Sequence, residues 1–398
     1  TQSYADDPYV GFSSTSPLFV EQTDSGGVAE MVTADNKLSL FNRQSFQRGK
    51  GGVTRVFCVG GSTTFGRPYD DTTSFCGWLR ELLPVADPSR EWEVINAGGV
   101  SYASYRVALL MEELIEYEPD VFIVYSGHNE FLERRTYPQI IAMPRAVRGF
   151  GSVAAKTRVW TAMSTVMGRI SESPSSPESD PDILDEEVTT LLDTAVGPSA
   201  YTRDDRLAES TLKHYRYNSI RMIDIAASVG AETVMITPAA NLKDSRPFKS
   251  EHRPDLSEAD RQEIESLLEA AQQAHAEGRR EASLAETSAA AVLDPRHAQL
   301  AYLQGRLHYE NEDWDQARRA FERARDEDVC PLRAPGPVPG IVRDVASDRG
   351  ALLVDFEALA DELAQHGIPG EESFLDHVHP TIGVHRRLAV AILETMAG

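Results

Sequence analysis

The chain has 398 residues, 41% of them hydrophobic and 25% charged, which suits a globular protein with one large domain or two ordinary ones. The formal net charge of −23 argues against nucleic acid as a partner, because phosphate backbones would be repelled, and it favours solubility. The spacing of Cys58, Cys76 and Cys330 excludes an evident disulfide framework or zinc site, and no apolar stretch is long enough to span a bilayer.

Residues 1–52 predict an irregular N-terminal arm, because Ser, Thr, Asp and Gly are frequent there and aromatic residues are scattered. From residue 53 onwards, β-rich segments alternate with helical ones. The predicted strands are residues 54–59, 93–96, 121–126, 233–237 and 351–355. The predicted helices are residues 75–83, 103–117, 206–229 and 384–396. This alternation predicts a doubly wound parallel sheet whose chemistry lies beyond the carboxyl ends of the strands.

A first interruption of the alternation spans about residues 131–201. Its front part, residues 134–170, contains no Asp or Glu, and apolar residues that include Trp160 and Met163 recur there at helical spacing. Its back part, residues 171–200, is acidic and interrupted by prolines, which predicts a loop or linker. We interpret the front part as a lid-like amphipathic element, with a surface that leans on a membrane as the alternative.

A second interruption, residues 256–328, is almost entirely helical. In its later half Gly305, Ala317, Phe321 and Ala324 occur at spacings that resemble a tetratricopeptide repeat. Small residues at such positions let antiparallel helices approach closely, so we predict helical hairpins that could stand apart from the active site. A structural insertion is favoured, because stable arrays usually need about three repeats. A module that binds a protein partner is the alternative.

Ser62 directly follows the first predicted strand and is flanked by Gly60, Gly61 and Gly66. A sharp glycine turn at the end of a parallel strand can present a hydroxyl at a helix N-terminus, where backbone N–H groups are free. The pattern indicates a nucleophilic serine. A phosphate-binding loop or an N-capping serine would produce the same local pattern.

Asp376 and His379 follow the last predicted strand and precede the last helix. An Asp at this spacing ahead of a His can orient the imidazole and stabilise the imidazolium, so His379 is the candidate base and Asp376 its partner. Pro380 then begins the helix where no N–H is needed. His377 and His379 could instead bind a metal or lie solvated in a loop. No third ligand occurs at recognisable spacing, so no metal or other cofactor is expected.

Asn129 lies in the segment of residues 127–130, at the end of the third predicted strand. An Asn side chain at that point can direct its amide N–H at a developing oxyanion. An Asn held in a left-handed turn is the alternative.

Together these three blocks resemble the SGNH/GDSL hydrolase family. Ser62 matches the nucleophile motif, Gly127 and Asn129 match the GxN block, and Asp376 and His379 match the DxxH block. The resemblance covers residues 55–136, 211–237 and 351–397. It implies a three-layer α/β/α sandwich with a flavodoxin-like, parallel five-stranded sheet, and hydrolysis or transfer of an acyl ester.

The sequence departs from the family pattern at several positions. Gly61 stands where the family usually has Asp, and Glu130 stands where Asp often follows the Asn. Neither family residue takes part in acyl transfer, so activity is not excluded. The second oxyanion donor is a glycine N–H in the family; here its place is taken by Ser101, with Gly99 as the rival candidate.

The implied organisation is a catalytic domain of residues 53–255 and 329–398 that carries both insertions. In the implied mechanism, His379 takes the proton of Ser62, which attacks an acyl carbonyl, and the acyl-enzyme is then cleared. The leading function is a carboxylester hydrolase, acting on a small molecule or on acyl groups of a glycan or lipid, with Trp160 and Met163 in the acyl pocket. The alternatives are an O-acyltransferase with the same acyl-enzyme, or a non-catalytic scaffold whose helical insertion binds a protein.

The sequence begins at Thr1 without a Met and contains no signal peptide, so we expect an expressed or a processed form, from which any targeting segment would have been removed. Residues 7–12 resemble the stretch that follows a membrane anchor in some bacterial members of the family. This resemblance implies an extracytoplasmic or membrane-anchored location. A cytoplasmic location is the alternative.

Overall fold

The computed structural model describes residues 17–23, 29–132 and 201–397. The strands of these ranges are β1 (Phe19–Thr23), β2 (Ala29–Thr33), β3 (Ser45–Gln47), β4 (Thr54–Gly60), β5 (Trp92–Gly98), β6 (Val121–Tyr125), β7 (Glu232–Ile236) and β8 (Leu352–Val354). The helices are α1 (Ser62–Phe65), α2 (Phe75–Ala86), α3 (Ser104–Leu114), α4 (Asp205–Ser228), α5 (Glu258–Ala276), α6 (Arg280–Leu293), α7 (Ala298–Glu310), α8 (Trp314–Asp326), α9 (Pro337–Arg349), α10 (Phe356–Leu363) and α11 (Ile382–Ala397).

The centre of the fold is a five-stranded parallel sheet in the order β5-β4-β6-β7-β8. All five strands were predicted from the alternation of β-rich and helical segments, and the predicted parallel α/β fold is confirmed. The chain moves outward from β4 to β5 and then returns to the other side of β4 to form β6. Such a reversal leaves a crevice at the carboxyl ends of the two strands on either side of it.

Both faces of the sheet are buried, which makes the fold a three-layer α/β/α sandwich. Side chains such as Phe57 and Phe122 pack against α3, α4 and α9 on one face. The alternate residues, such as Val56 and Ile123, pack against α2, α10 and α11 on the other face. Strands covered on both faces are expected to be apolar at nearly every position, which explains why these segments stand out in the sequence.

The N-terminal region corrects one prediction. Residues 1–52 were expected to form an irregular arm, but β1, β2 and β3 form an antiparallel three-stranded sheet. Phe19 and Phe46 of this sheet pack edge-to-face at 4.9 Å and belong to the same core as Phe57. The buried Arg55 guanidinium also donates hydrogen bonds to the carbonyls of Gln47 (2.7 Å) and Tyr117 (2.6 Å). The small sheet is therefore packed on the edge of the α/β/α sandwich.

The second insertion forms two helical hairpins, α5–α6 and α7–α8, as predicted. Gly305 of α7 lies against Phe321 of α8, so close that a Cβ added to Gly305 would stand 2.6 Å from the ring. The hairpins do not stand apart from the remainder of the fold. Residues of α7 and α8 share a core with Leu242 and Ile368, which belong to loops at the carboxyl edge of the sheet.

Within the three described ranges, we find no helix that combines the length and the apolar character needed to cross a membrane.

Candidate active site

Ser62 is the first residue of α1, immediately after β4 ends at Gly60. The backbone is tightly packed at this turn: a Cβ on Gly60 would lie 2.0 Å from the carbonyl oxygen of Tyr125, at the end of β6. A Cβ on Gly61 would lie 2.7 Å from Nδ2 of Asn129. A side chain at position 61 would therefore displace the Asn129 amide.

Ser62, His379 and Asp376 form a continuous chain of hydrogen bonds. Nε2 of His379 lies 2.8 Å from Oγ of Ser62, and Nδ1 of His379 lies 2.5 Å from Oδ2 of Asp376. The other carboxylate oxygen of Asp376 accepts the backbone N–H groups of Val378 and His379, each at 2.8 Å. The Asp376 carboxylate thus fixes both the turn of residues 376–379 and the orientation of the His379 ring.

The environment of Asp376 keeps its carboxylate ionised. Burial by itself raises the pKa of Asp376, but the hydrogen bond from His379 and the charges of His377 and His379 outweigh this effect. The pKa of Asp376 therefore lies well below its usual range. An ionised carboxylate at Nδ1 holds the proton on that nitrogen and leaves Nε2 free to accept the proton of a hydroxyl.

The structure distinguishes the two neighbouring histidines. His377 is buried, its ring packs edge-to-face on Phe248 at 5.1 Å, and burial lowers its pKa to about 4. Its Nδ1 lies 3.7 Å from Asp376, beyond hydrogen-bonding distance. Of the two rings, that of His379 lies at hydrogen-bonding distance from Ser62, whereas that of His377 packs on Phe248.

Asn129 lies beside the Ser62 turn, and its amide Nδ2 donates a hydrogen bond to the carbonyl oxygen of Tyr102 at 3.1 Å. An asparagine amide carries two N–H groups, so one donor remains for a ligand. Its neighbour Glu130 is buried and accepts hydrogen bonds from the backbone N–H (2.9 Å) and hydroxyl (2.7 Å) of Ser104, the first residue of α3. Glu130 thereby ties the Asn129 loop to the N-terminus of that helix.

Ser101 and Gly99, the two candidate backbone donors, have different environments. The N–H of Gly99 already donates to the carbonyl oxygen of Gly60 at 3.0 Å. Ser101 has φ of +61°, the left-handed conformation that glycine adopts most readily. Within the described ranges, neither the N–H nor the buried hydroxyl of Ser101 has a hydrogen-bond partner.

Two buried residues that support the site were not singled out from the sequence. His128 accepts the N–H of Ala334 on Nδ1 at 3.2 Å, and burial, with smaller contributions from His377 and His379, lowers its pKa to about 3. Asn241 reaches the 376–379 turn from the loop after β7. In the sequence, His128 could have been noticed only because it is adjacent to Asn129. No local pattern marks Asn241.

Trp160 and Met163 lie outside the described residues, as does nearly all of the lid-like insertion. A surface depression of about 420 Å³ is lined by residues of α3 and α4, among them Tyr217 and Arg221. Both helices end beside it, just before β6 and β7 begin, so it lies toward the amino ends of the strands. It is therefore on the side of the sheet opposite to Ser62.

No protein-family model and no curated protein matches the chain. Among solved structures, the chain is similar to LAE5, an alpha/beta hydrolase enzyme from the metagenome of Lake Arreo, Spain, at 12% identity and a TM-score of 0.39, over 86% of this chain and 95% of that one. It is similar to Axe2, an acetylxylan esterase from Geobacillus stearothermophilus, at 12% identity and a TM-score of 0.39, over 89% and 97% of the two chains. It is also similar to TesA at 12% identity and a TM-score of 0.33, over 86% and 97%. These likenesses are too distant to support a function, so the functional argument below depends on the site.

Proposed function

We propose that the protein is a serine-dependent ester hydrolase of the SGNH type, with Ser62 as nucleophile, His379 as base and Asp376 as the residue that orients the base. The observation that carries the proposal is the chain of hydrogen bonds from Ser62 through His379 to Asp376, with distances of 2.8 and 2.5 Å. An arrangement of nucleophile, base and orienting carboxylate at hydrogen-bonding distances is what acyl transfer by a serine requires.

In the proposed reaction, Oγ of Ser62 attacks the acyl carbonyl while its proton passes to Nε2 of His379. The tetrahedral intermediate collapses when His379 returns that proton to the leaving alcohol, and the acyl group remains on Ser62. A water molecule then gives its proton to His379 and attacks the acyl-enzyme. The acid product leaves and Ser62 regains its proton, so one ester and one water become one acid and one alcohol.

The negative charge that develops on the carbonyl oxygen needs donors fixed in advance. We assign this role to the N–H groups of Ser62 and Ser101 and to the second amide N–H of Asn129. The N–H of Ser62 lies in the first turn of α1, where it has no partner within the helix. Donors that are already in place cost no reorganisation during the reaction, which is why such groups contribute strongly to the rate.

The proposed substrate is an acyl ester of a small molecule, glycan or lipid. The acidic chain, with its formal net charge of −23, favours a neutral or cationic ester over a polyanionic one. An O-acyltransferase would use the same acyl-enzyme and would differ only in the group that accepts the acyl chain. The experiment below separates the two outcomes.

The test is incubation of the whole protein with a serine-reactive fluorophosphonate, followed by mass mapping of the label and by hydrolysis assays with aryl acetate and octanoate. We expect the label on Ser62 alone. Ser62→Ala should lose the label and lower kcat by roughly 10⁴–10⁶-fold. Ser228→Ala, which removes an exposed hydroxyl of α4, is the matched control and should behave as the parent does.

Label on another serine, or turnover by Ser62→Ala within a few-fold of the parent, would remove Ser62 from the mechanism. Addition of an alcohol acceptor during turnover measures how the acyl-enzyme partitions. Free acid as the main product supports hydrolysis, whereas acylated alcohol as the main product identifies a transferase.

A further inference from the structure

The loop after β7 lies between the helical insertion and the 376–379 turn, which holds His379, and it contacts both. Residues 241–243 of this loop are buried, and they run between two parts of the chain that are far from them in sequence. The backbone N–H groups of Leu242 and Lys243 both donate to the carbonyl oxygen of Pro369, at 2.8 and 3.2 Å. The loop is thus paired with the segment that leads into the 376–379 turn.

Asn241 makes two hydrogen bonds with the turn itself. Its backbone N–H donates to the carbonyl oxygen of His377 at 3.0 Å, and its side-chain Nδ2 donates to the carbonyl oxygen of Asp376 at 3.1 Å. The fully buried Arg333 guanidinium donates in turn to the carbonyl oxygen of Asn241. The hydrogen bonds from Val378 and His379 to the Asp376 carboxylate set the shape of the turn. Those from Asn241 fix the position of the turn relative to the sheet.

The insertion holds the other side of the same loop. The hydroxyl of Tyr302, on α7, donates to the carbonyl oxygen of Lys243 at 2.9 Å. Leu242 and Ile368 are buried in the same apolar core as Ala301 and Phe321 of the α7–α8 hairpin. The hairpin therefore contacts both the 241–243 loop and the segment before the catalytic turn.

From these contacts we infer that Asn241 is a positioning residue for the Asp376–His379 pair, and that the α7–α8 hairpin braces it through Tyr302. The inference rests on the proposed function, since it assigns the insertion a role in the same active site. A base must stay within hydrogen-bonding distance of its nucleophile, and a misplacement of about 1 Å can cost roughly 10²-fold in rate. The hairpin thus acts through Asn241 on the contact between His379 and Ser62.

Three variants test the inference. Asn241→Ala removes the bond to Asp376, and Tyr302→Phe removes only a hydroxyl while the ring keeps its place in the core. Tyr309→Phe is the matched control, because it removes a hydroxyl from the same helix while the ring keeps its contacts with Trp314 and with Nζ of Lys243. The readouts are kcat and KM for an aryl ester, the amount of Ser62 labelled by fluorophosphonate, and the low-field proton resonance of the hydrogen bond between His379 and Asp376.

We expect Asn241→Ala to lower kcat by roughly 10- to 100-fold and Tyr302→Phe by roughly two- to tenfold, with KM nearly unchanged. The low-field resonance should shift or broaden in both variants, and Tyr309→Phe should match the parent in every readout. If Asn241→Ala does not fold, the measurements on Tyr302→Phe alone test the positioning role. Parent-like kcat and resonance in the folded variants, or an equal loss in Tyr309→Phe, would overturn the positioning role.

The same experiments distinguish failure of the proposed function from failure of the positioning role. If the parent hydrolyses no ester and takes no label, the proposed activity is wrong. The resonance of the His379–Asp376 hydrogen bond still reports whether Asn241 and Tyr302 position that pair.

Discussion

At Gly61 the absence of a side chain leaves room for the amide of Asn129. A Cβ at this position would stand 2.7 Å from Nδ2 of Asn129, which is the end of a side chain and can be displaced. Gly61 and Asn129, the proposed oxyanion donor, are therefore coupled by contact. A substitution at one position should act through the other.

We predict that Gly61→Ala lowers kcat by roughly 10- to 100-fold and changes the melting temperature little, because the methyl group displaces the Asn129 amide but not the backbone. Asn129→Ala should lower kcat by roughly 10²–10³-fold with little change in KM, since the donor acts on charge that develops in the transition state. The double variant measures the coupling. Effects that simply multiply would show that Gly61 acts on something other than Asn129.

The two histidines of the catalytic turn give a second prediction. His379→Ala should lower kcat/KM as much as Ser62→Ala does, because the serine then lacks its base. His377→Ala should leave measurable turnover, since His377 contacts Phe248 and not Ser62, although the cavity it leaves should lower stability. The comparison requires kcat/KM and thermal unfolding for both variants. A larger loss in His377→Ala would reverse the assignment.

Among the strands, those buried on both faces were the ones that the sequence revealed. Strands β4 to β8 are short runs between helical segments, so their positions and their parallel arrangement were predicted from the pattern. The N-terminal sheet was missed because β1 reads Phe-Val-Glu-Gln-Thr, with a buried Phe, a half-buried Val and then three exposed polar residues. Its stability depends on Phe19 and Phe46 packing against a core that lies later in the chain.

Part of the candidate site could also be predicted from the sequence. Ser62, Asn129, Asp376 and His379 lie in local motifs, and the structure brings them to one edge of the sheet. The choice between Gly99 and Ser101 could not be made from the sequence, because it depends on the partner of one backbone N–H. The proposed role of Asn241 could not be predicted either, because its side chain bonds to Asp376, which lies 135 residues further along the chain.

At the scale of elements, two helical glycines give a matched prediction. A Cβ on Gly305 would meet the Phe321 ring at 2.6 Å, whereas a Cβ on Gly340 of α9 would meet nothing within 4 Å. Gly305→Ala should therefore lower the free energy of unfolding by about 1–3 kcal/mol through overpacking of the α7–α8 hairpin. Gly340→Ala should raise it by about 0.5–1 kcal/mol through helix propensity.

Denaturant unfolding of both variants checks this prediction. Equal effects of the two substitutions would mean that α7 and α8 do not approach as closely as the structure describes.

For the whole molecule, one carboxylate couples stability to pH. Glu113 on α3 accepts the backbone N–H groups of Leu18 and Phe19, at 2.7 and 3.5 Å, and so anchors the N-terminal sheet. Burial raises the pKa of Glu113 from about 4.5 to about 7, against the opposing effect of these hydrogen bonds. The folded state therefore binds more protons than the unfolded state between these values. The contribution of Glu113 to the free energy of unfolding should therefore fall as pH rises from about 4.5 through 7.

We predict that Glu113→Gln, which cannot ionise, is more stable than the parent at pH 8 by on the order of 1–3 kcal/mol, and that the difference vanishes near pH 4. Denaturant unfolding of both proteins across that range is the measurement. Glu81→Gln, at an exposed position of α2, is the control and should leave the slope of stability with pH as it is in the parent. Parallel stability curves for Glu113→Gln and the parent would contradict the assignment.

The proposed nucleophile and its base are separated by 317 residues along the chain. During synthesis, Ser62 leaves the ribosome long before His379 exists, and the sheet that carries it cannot be completed until β8 has been made. A nascent or prematurely terminated chain that ends before residue 376 would hold the serine without the group that activates it. Under the proposed mechanism, the order of the motifs therefore keeps partial translation products that end before residue 376 inert toward the esters around them.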